Sequence, residues 1–275
     1  ENDTAFAAAL AASNSVLGFS VSANAPHVAL TPKTSIAVSG SHPGAYLPPI
    51  TGAVAPLPQL SEAAAGLGGL SLNAEDSAGV VRLVPMLWSD GEQLFPGLSI
   101  ETLRLALGVR TLVALGDTTG ANTLEGVRVG DFTVSTTASG EVVLYDKPPN
   151  PDHVIPAWSL LGDGYTSLQD QIAGRIVLIG TSASGLLDLH ATPLSASTPG
   201  VLIHAGLIDQ IVSGQFLSRA DWVQALEILG FILAAVILVL VVLRLGPLAG
   251  LLVAIALIGA QIAVSYTAFA TRGWL

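Results

Sequence analysis

Residues 228–243 read ILGFILAAVILVLVVL, a run with no charged side chain. Few environments hold such a stretch: a lipid bilayer, or the middle of a large soluble core. Trp222, Val223 and Leu226 extend it to roughly 20 residues, the length that crosses a bilayer core. Glu227 sits near one end, where it can reach the interface. A second uncharged run goes from Leu245 to Thr271, with Arg-Leu-Gly-Pro (Arg244 to Pro247) between the two. The pattern predicts two membrane helices, at about 222–243 and 248–270, joined as a hairpin.

Composition agrees. The chain of 275 residues is 51% hydrophobic and only 11% charged, where soluble domains carry about a quarter charged. From Trp222 to Leu275 the charged residues are Glu227, Arg244 and Arg272. Residues 1–221 hold 8 basic and 19 acidic side chains, a net charge of −11. That balance gives no support for nucleic-acid binding, which needs a basic face. It also disfavours docking on anionic lipid. The chain contains no cysteine, which excludes disulfides and thiolate metal sites. The opening ENDTAFAAAL lacks Met and a basic n-region, so the chain reads as part of a longer protein. By the positive-inside tendency, Arg244 faces the cytoplasm and residues 1–221 lie outside.

Residues 1–221 read as one α/β domain with hairpins and flanking helices. Asp3–Ser13 is an Ala-rich helix pattern and Ser15–Val21 a buried strand. Residues 22–58 are rich in Pro, Gly, Ser and Thr and read as a long irregular excursion. A helical turn with Ser61 as its cap precedes a strand at Gly68–Leu72. NAEDSAG is a turn using Asp76 and Gly79. Val80–Trp88 reads as one strand, and Ser-Asp-Gly at 89–91 closes a hairpin. Leu98, Leu103 and Leu107 recur at helical spacing before a stop at Gly108. Residues 127–146 alternate apolar and polar, with Ala-Ser-Gly (138–140) as the expected hairpin tip. Lys147–His153 is a rigid loop, and Val154–Gly164 starts a short helix. Gly174–Gly180, GRIVLIG, is an apolar strand expected to be buried on both faces. The next helix starts at Pro199 and stops at Gly214, with Ile203, Leu207, Ile208 and Ile211 on one stripe. This strand and this helix are expected at the centre of a sheet.

Chemical motifs are weak. GTSASG at 180–185 could aim backbone amides at an anion. It lacks the Lys of a nucleotide-binding loop and the three spaced glycines of a dinucleotide fingerprint. Ser182 or Ser184, His190 or His204, and Asp188 could form a nucleophilic triad, but no Gly-x-Ser-x-Gly elbow is present. His190, His204, Asp188 and Asp209 could meet around a metal, without any paired histidine spacing to favour it. The plainer reading of His204 is a core histidine, bonded to Asp188 or a backbone carbonyl; contact with a ligand is the alternative.

GRIVLIGTSASGLLDLHATPL followed by TPGVLIHAGLIDQIVSGQFL resembles the second type of CHASE domain, a sensory module of bacterial receptors. The matching positions are Gly180, Thr181, Asp188, Thr192, Pro193, Pro199, Gly200, Val201, His204 and Ala205. AAAGLGGLSLNAEDSAGVVRLVPML and LFPGLSIETLRLALG also fit that family. The resemblance implies an extracytoplasmic mixed-sheet sensory domain over residues 1–221, then a transmembrane α-helical hairpin over 222–275. It implies a signal-input region in the bacterial cytoplasmic membrane, acting with a cytoplasmic effector. A cyclase is favoured over a histidine or Ser/Thr kinase. The segment itself would not be an enzyme and would need no cofactor or metal. Expected partners are the lipid bilayer, an unidentified small molecule or physical stimulus, and a second copy through the membrane helices and effector, with no nucleic acid. Thr181, Ser182, Asp188, Thr192 and His204 are the candidate ligand-contacting residues. The alternative is a membrane-anchored extracytoplasmic enzyme or binding protein, or a dimerisation module without ligand.

Overall fold

The computed structural model describes residues 1–72, 79–118, 123–161, 164–183, 185, 188–217 and 221–273. The chain divides into two compact units, Glu1–Gly214 and Gln215–Leu275.

In the first unit the order is α1 (Asn2–Ala11), β1 (Val16–Val21), β2 (Ser35–Ser39), β3 (Ala53–Val54), α2 (Pro58–Ala63), β4 (Gly66–Gly69), β5 (Leu83–Pro85), β6 (Leu87–Ser89) and β7 (Leu94–Pro96). Then follow α3 (Leu98–Ala106), β8 (Thr111–Gly116), β9 (Leu124–Val129), β10 (Phe132–Ser135), β11 (Glu141–Val143), α4 (Gly164–Ile172), β12 (Leu189–His190), β13 (Thr198–Pro199) and α5 (Gly200–Ser213). The architecture is mixed α/β, as expected. It has several small sheets, however, and not one central sheet.

A four-stranded sheet runs β10-β9-β8-β2, and a three-stranded sheet runs β3-β1-β4. Each holds one parallel pair, β2 with β8 and β1 with β4. Along β8 every second residue is buried: Leu112, Ala114 and Gly116, which is the period of a strand with one face on the core. Phe19, Ile50, Ala53, Leu67, Trp88 and Phe95 form a packed cluster. Within it the Phe19 and Phe95 rings meet edge to face, 6.0 Å between centroids, a favoured aromatic geometry.

Helix α3 carries an ion pair inside this core. Glu101 is fully buried and accepts from Arg104 Nε at 2.9 Å and Nη2 at 2.8 Å. Glu101 Oε1 also accepts from Thr34 Oγ1 at 2.6 Å, and Arg104 Nη1 donates to the Val109 carbonyl. Thr34 leads directly into β2, so the network fastens the Pro-rich excursion to α3.

The structure corrects several expectations. Residues 22–58 contain β2, β3 and a 3₁₀ turn at Pro43–Ala45; half-buried Ile36 and Val38 alternate with exposed Ser35, Ala37 and Ser39, and that period wins over the surrounding prolines. Ser61 lies inside α2, whose N-cap is Leu57 with Pro58 in the first turn. The strand expected at Gly68–Leu72 is β4, earlier by two residues. The strand expected at Val80–Trp88 breaks at Met86, whose N–H donates sideways to the Gly140 carbonyl. Gly130 and Asp131, not Ala138–Gly140, form the tip of the β9–β10 hairpin. After the second turn, β11 pairs with the distant β5. Leu107 is the C-cap of α3 and is exposed. Asp76 lies outside the described residues.

The largest difference concerns GRIVLIG. Residues 175–180 form no ladder, and Ile176, Val177 and Ile179 are 39%, 51% and 91% exposed. Only the far end is tightly packed: a Cβ on Gly180 would stand 2.5 Å from Val201 Cβ. An apolar run shows that residues can be buried, not that a partner strand is within reach. Helix α5 does hold the central place: Ile203, Leu207, Ile208 and Ile211 are all buried. It ends where Gly214 takes a left-handed conformation, φ 66°, an angle that a side chain disfavours.

The second unit contains α6 (Asp221–Leu245) and α7 (Pro247–Arg272). Gly246 alone separates them, and Pro247 opens α7. Ala225–Leu245 and Pro247–Thr271 are 21 and 25 residues long and strongly apolar, long enough to cross a bilayer. Their large apolar side chains are mostly exposed, from Leu229 and Phe231 to Ile262 and Val264. That surface demands lipid or protein around it.

Candidate functional site

The residues singled out by sequence gather around the start of α5. Strands β12 and β13 pair antiparallel, Leu189 opposite Pro199 and His190 opposite Thr198. The turn between them is closed by Thr192 N–H donating to the Ser195 carbonyl at 2.7 Å. Thr192 is buried, and its Oγ1 lies 3.4 Å from the Ser195 carbonyl and 3.5 Å from Thr198 Oγ1. The Asp188 carbonyl accepts from Gly200 N–H at 2.9 Å. A Cβ on Gly200 would meet Asp188 Oδ1 at 2.4 Å, so only glycine lets the strand pass the helix here. His190 Nε2 lies 3.5 Å from Asp188 Oδ1. Thr181 and Ser182 are exposed, and Ser184 lies outside the described residues.

His204 stands apart from the exposed Thr181 and Ser182. It is 3% exposed. Its Nε2 lies 3.1 Å from the Leu70 carbonyl, and its Nδ1 lies 2.9 Å from Ser99 Oγ. A carbonyl can only accept, so Nε2 carries the proton and Nδ1 of the neutral ring accepts from Ser99. Burial holds the His204 pKa below its ordinary value; the Leu70 hydrogen bond and the charge of Asp188 oppose that shift, and His190 adds to it. The ring therefore joins α5, α3 and the end of β4. Its proton donor points to a backbone carbonyl and its acceptor to Ser99, not to Ser182. Ser99 is itself 1% exposed, so the hydroxyl paired with His204 is shut inside the core.

On another stripe of α5 the structure places a cavity of about 300 Å³ between that helix and residues 144–154. Leu202, Ile203, Ala205 and Gly206 form its apolar wall, with Asp209 one turn further on. Tyr145, Lys147, Asn150 and His153 line the opposite side. Lys147 Nζ lies 5.1 Å from the centre of the Tyr145 ring and 3.9 Å from Asp209 Oδ2. Gln210 is 1% exposed; its Oε1 accepts from Tyr145 N–H and its Nε2 donates to the Val143 carbonyl, each at 2.9 Å. One side chain thus continues the β11 backbone pattern onto the helix and fixes the cavity's inner wall.

None of Thr181, Ser182, Asp188, Thr192 and His204 lines this cavity. The cavity residues escaped the sequence reading because residues 147–153 read only as a rigid loop. Gly206 is the available clue. It is a glycine within an otherwise regular helix, where it costs about 1 kcal/mol relative to Ala, and a Cβ there would meet nothing within 4 Å. Packing does not require it.

The CHASE2 domain family matches residues 1–243. No curated protein and no solved structure matches the chain. A sensory domain agrees with a histidine and serine paired inside the core, and two apolar helices agree with a membrane setting. The chain belongs to the CHASE2 family, whose members are extracellular sensory domains and not catalytic ones.

Proposed function

We propose that the chain is the signal-input region of a bacterial transmembrane receptor in the cytoplasmic membrane. It passes an external stimulus through α6 and α7 to a cytoplasmic effector, an adenylate or guanylate cyclase in the favoured reading. The receptor works as a homodimer whose membrane helices pack in two arrangements. The observation that carries this is the place of α5 in the chain. That helix forms one wall of the cavity, is clamped by Gln210 to residues 143–145, and ends at Gly214 only seven residues before α6 begins at Asp221. A stimulus that favours one position of α5 has a short covalent route to the membrane, and such bistable packing is a common switching device.

The test uses the absence of native cysteine. Single cysteines placed along α6 of the chain in membrane vesicles are oxidised and cross-linking between copies is measured. The expected pattern has a helical period, and Gln210→Ala, which loosens α5, shifts it. The absence of cross-links at every position would refute the dimer. A pattern identical in the Gln210→Ala protein would refute the coupling. Cyclic-nucleotide formation by the full-length receptor in the same membranes tests the effector; kinase activity in its place overturns the cyclase.

A further inference from the structure

We propose that a second, open cavity between residues 151–161 and α4 binds a small quaternary ammonium cation. The binding stands without the signal-input reading; only its consequence for α6 rests on that reading. The cavity holds about 560 Å³, inside the range of small-molecule sites. Pro151, Pro156 and Trp158 contribute to it from the loop, and Ser167, Leu168 and Gln171 from α4. Two 3₁₀ turns, Pro151–His153 and Ala157–Leu160, shape the loop. Asn150 Oδ1 accepts from Asp152 N–H at 3.0 Å, and Ser159 Oγ donates to the Pro156 carbonyl at 2.7 Å. Short local bonds therefore hold both turns before any ligand arrives.

The lining selects the sign of the charge. Trp158 is 75% exposed, although a tryptophan usually buries most of its surface. An open indole face attracts a cation through its quadrupole, more strongly than any other side-chain ring. Asp152 is the one charged residue lining the cavity among the described residues, with no Lys, Arg or His beside it. Its carboxylate is exposed and meets no cation or hydrogen-bond donor among the described residues. A ring face and a free carboxylate in one cavity attract a cation twice and repel an anion. The net charge of −11 on residues 1–221 raises the local cation concentration further.

The apolar residues select the kind of cation. Val154, Ile155, Leu161 and Leu168 share the cavity with Trp158 and Asp152. A metal ion or a primary ammonium is strongly hydrated and would lose water against these side chains without enough oxygens in return. A trimethylammonium group carries its charge beneath methyl groups that form no strong hydrogen bond, so an aromatic face and apolar neighbours suit it. Val154 also lines the cavity against α5, so the two cavities share a wall residue.

The full chain in dodecyl maltoside, a detergent without ammonium groups, is titrated calorimetrically with choline, with dimethylbutanol (the same shape with carbon in place of nitrogen, and no charge) and with phosphocholine. Choline is expected to bind saturably, and dimethylbutanol roughly tenfold or more weakly. Phosphocholine should also bind more weakly, since its phosphate finds Asp152 and no cation. Trp158→Leu keeps an apolar side chain and removes the ring. It should erase the preference for choline over dimethylbutanol while the melting temperature holds. Asp152→Asn should weaken choline roughly tenfold with the fold intact. No saturable choline binding by the folded chain overturns the proposal, as does unaltered binding in folded Trp158→Leu or in Asp152→Asn. Dimethylbutanol that matches choline overturns the charge selection. Phosphocholine that binds more tightly than choline overturns the free cation and points to a lipid headgroup. Choline binding that leaves the α6 cross-links unmoved would instead sink the signal-input reading and leave the site standing.

Discussion

Ser99 Oγ lies 2.9 Å from His204 Nδ1, though 105 residues separate them in sequence. With Nε2 on the Leu70 carbonyl, this pair fixes α5 against α3 and β4. His204→Ala removes both bonds, takes the donor from the part-buried Leu70 carbonyl and opens a void. We predict a loss of about 3 kcal/mol. Ser99→Ala removes one neutral bond and should cost about 1 kcal/mol. Thermal unfolding of the detergent-solubilised chain checks both; an unchanged midpoint for His204→Ala would contradict the core role.

The same histidine sets a pH dependence. Its pKa is lowered on folding from an ordinary value of 6.5. Above 6.5 the ring is neutral in both folded and unfolded chains, so its full contribution is present. As the pH falls below 6.5, the unfolded chain takes up a proton that the folded chain resists, and stability declines. The midpoint should therefore fall on acidification, and the difference between wild type and His204→Gln should shrink in the same window. A difference constant with pH would show that the ring does not titrate on unfolding.

The Glu101–Arg104 pair makes a sharper stability test, because both side chains are almost wholly buried. Glu101→Ala strands the Arg104 guanidinium and should cost about 3–5 kcal/mol. Gly66→Ala attacks the same network from outside, since its Cβ would meet Glu101 Oε1 at 2.4 Å and that carboxylate is held by three donors. Both variants should lower the midpoint by several degrees. Two near-normal midpoints would place the pair in water.

Local patterns were legible in the sequence and distant pairings were not. The helical stripe of α5 and the stop at Gly214 could be read directly, as could the β6–β7 hairpin with Asp90 and Gly91 in its turn. The pairing of β11 with β5 and the parallel pairing of β2 with β8 join segments far apart, and no local period encodes such a choice. Buried Glu101 and Gln210 also stayed hidden, because a polar residue announces burial only through partners supplied by the fold. For the same reason His204 could be read as a core residue, whereas Ser99 as its partner could not. The cavity depends on residues 144–154 folding over α5, which again is a tertiary fact.

Ile179 separates the two views of GRIVLIG. In a buried strand, Ile179→Lys would place a charge in the core and cost several kcal/mol. At 91% exposure the same change should move stability by less than about 0.5 kcal/mol. Thermal unfolding of Ile179→Lys decides it. A large loss would mean that the segment pairs, within this chain or with another copy.

We predict the membrane orientation with Arg244 at the inner end of the hairpin and Arg272 at the outer end. If the Glu1–Gly214 unit lies outside, α6 enters and α7 returns, and Leu245 sits beside the cytoplasm with Arg244, as the positive-inside tendency favours. In this cysteine-free chain, Ala12→Cys is at an exposed position and should react with a membrane-impermeant maleimide in intact cells. Leu245→Cys should react only after the membrane is permeabilised. The reverse pattern would invert the topology and put the acidic unit inside, where no external stimulus could reach it.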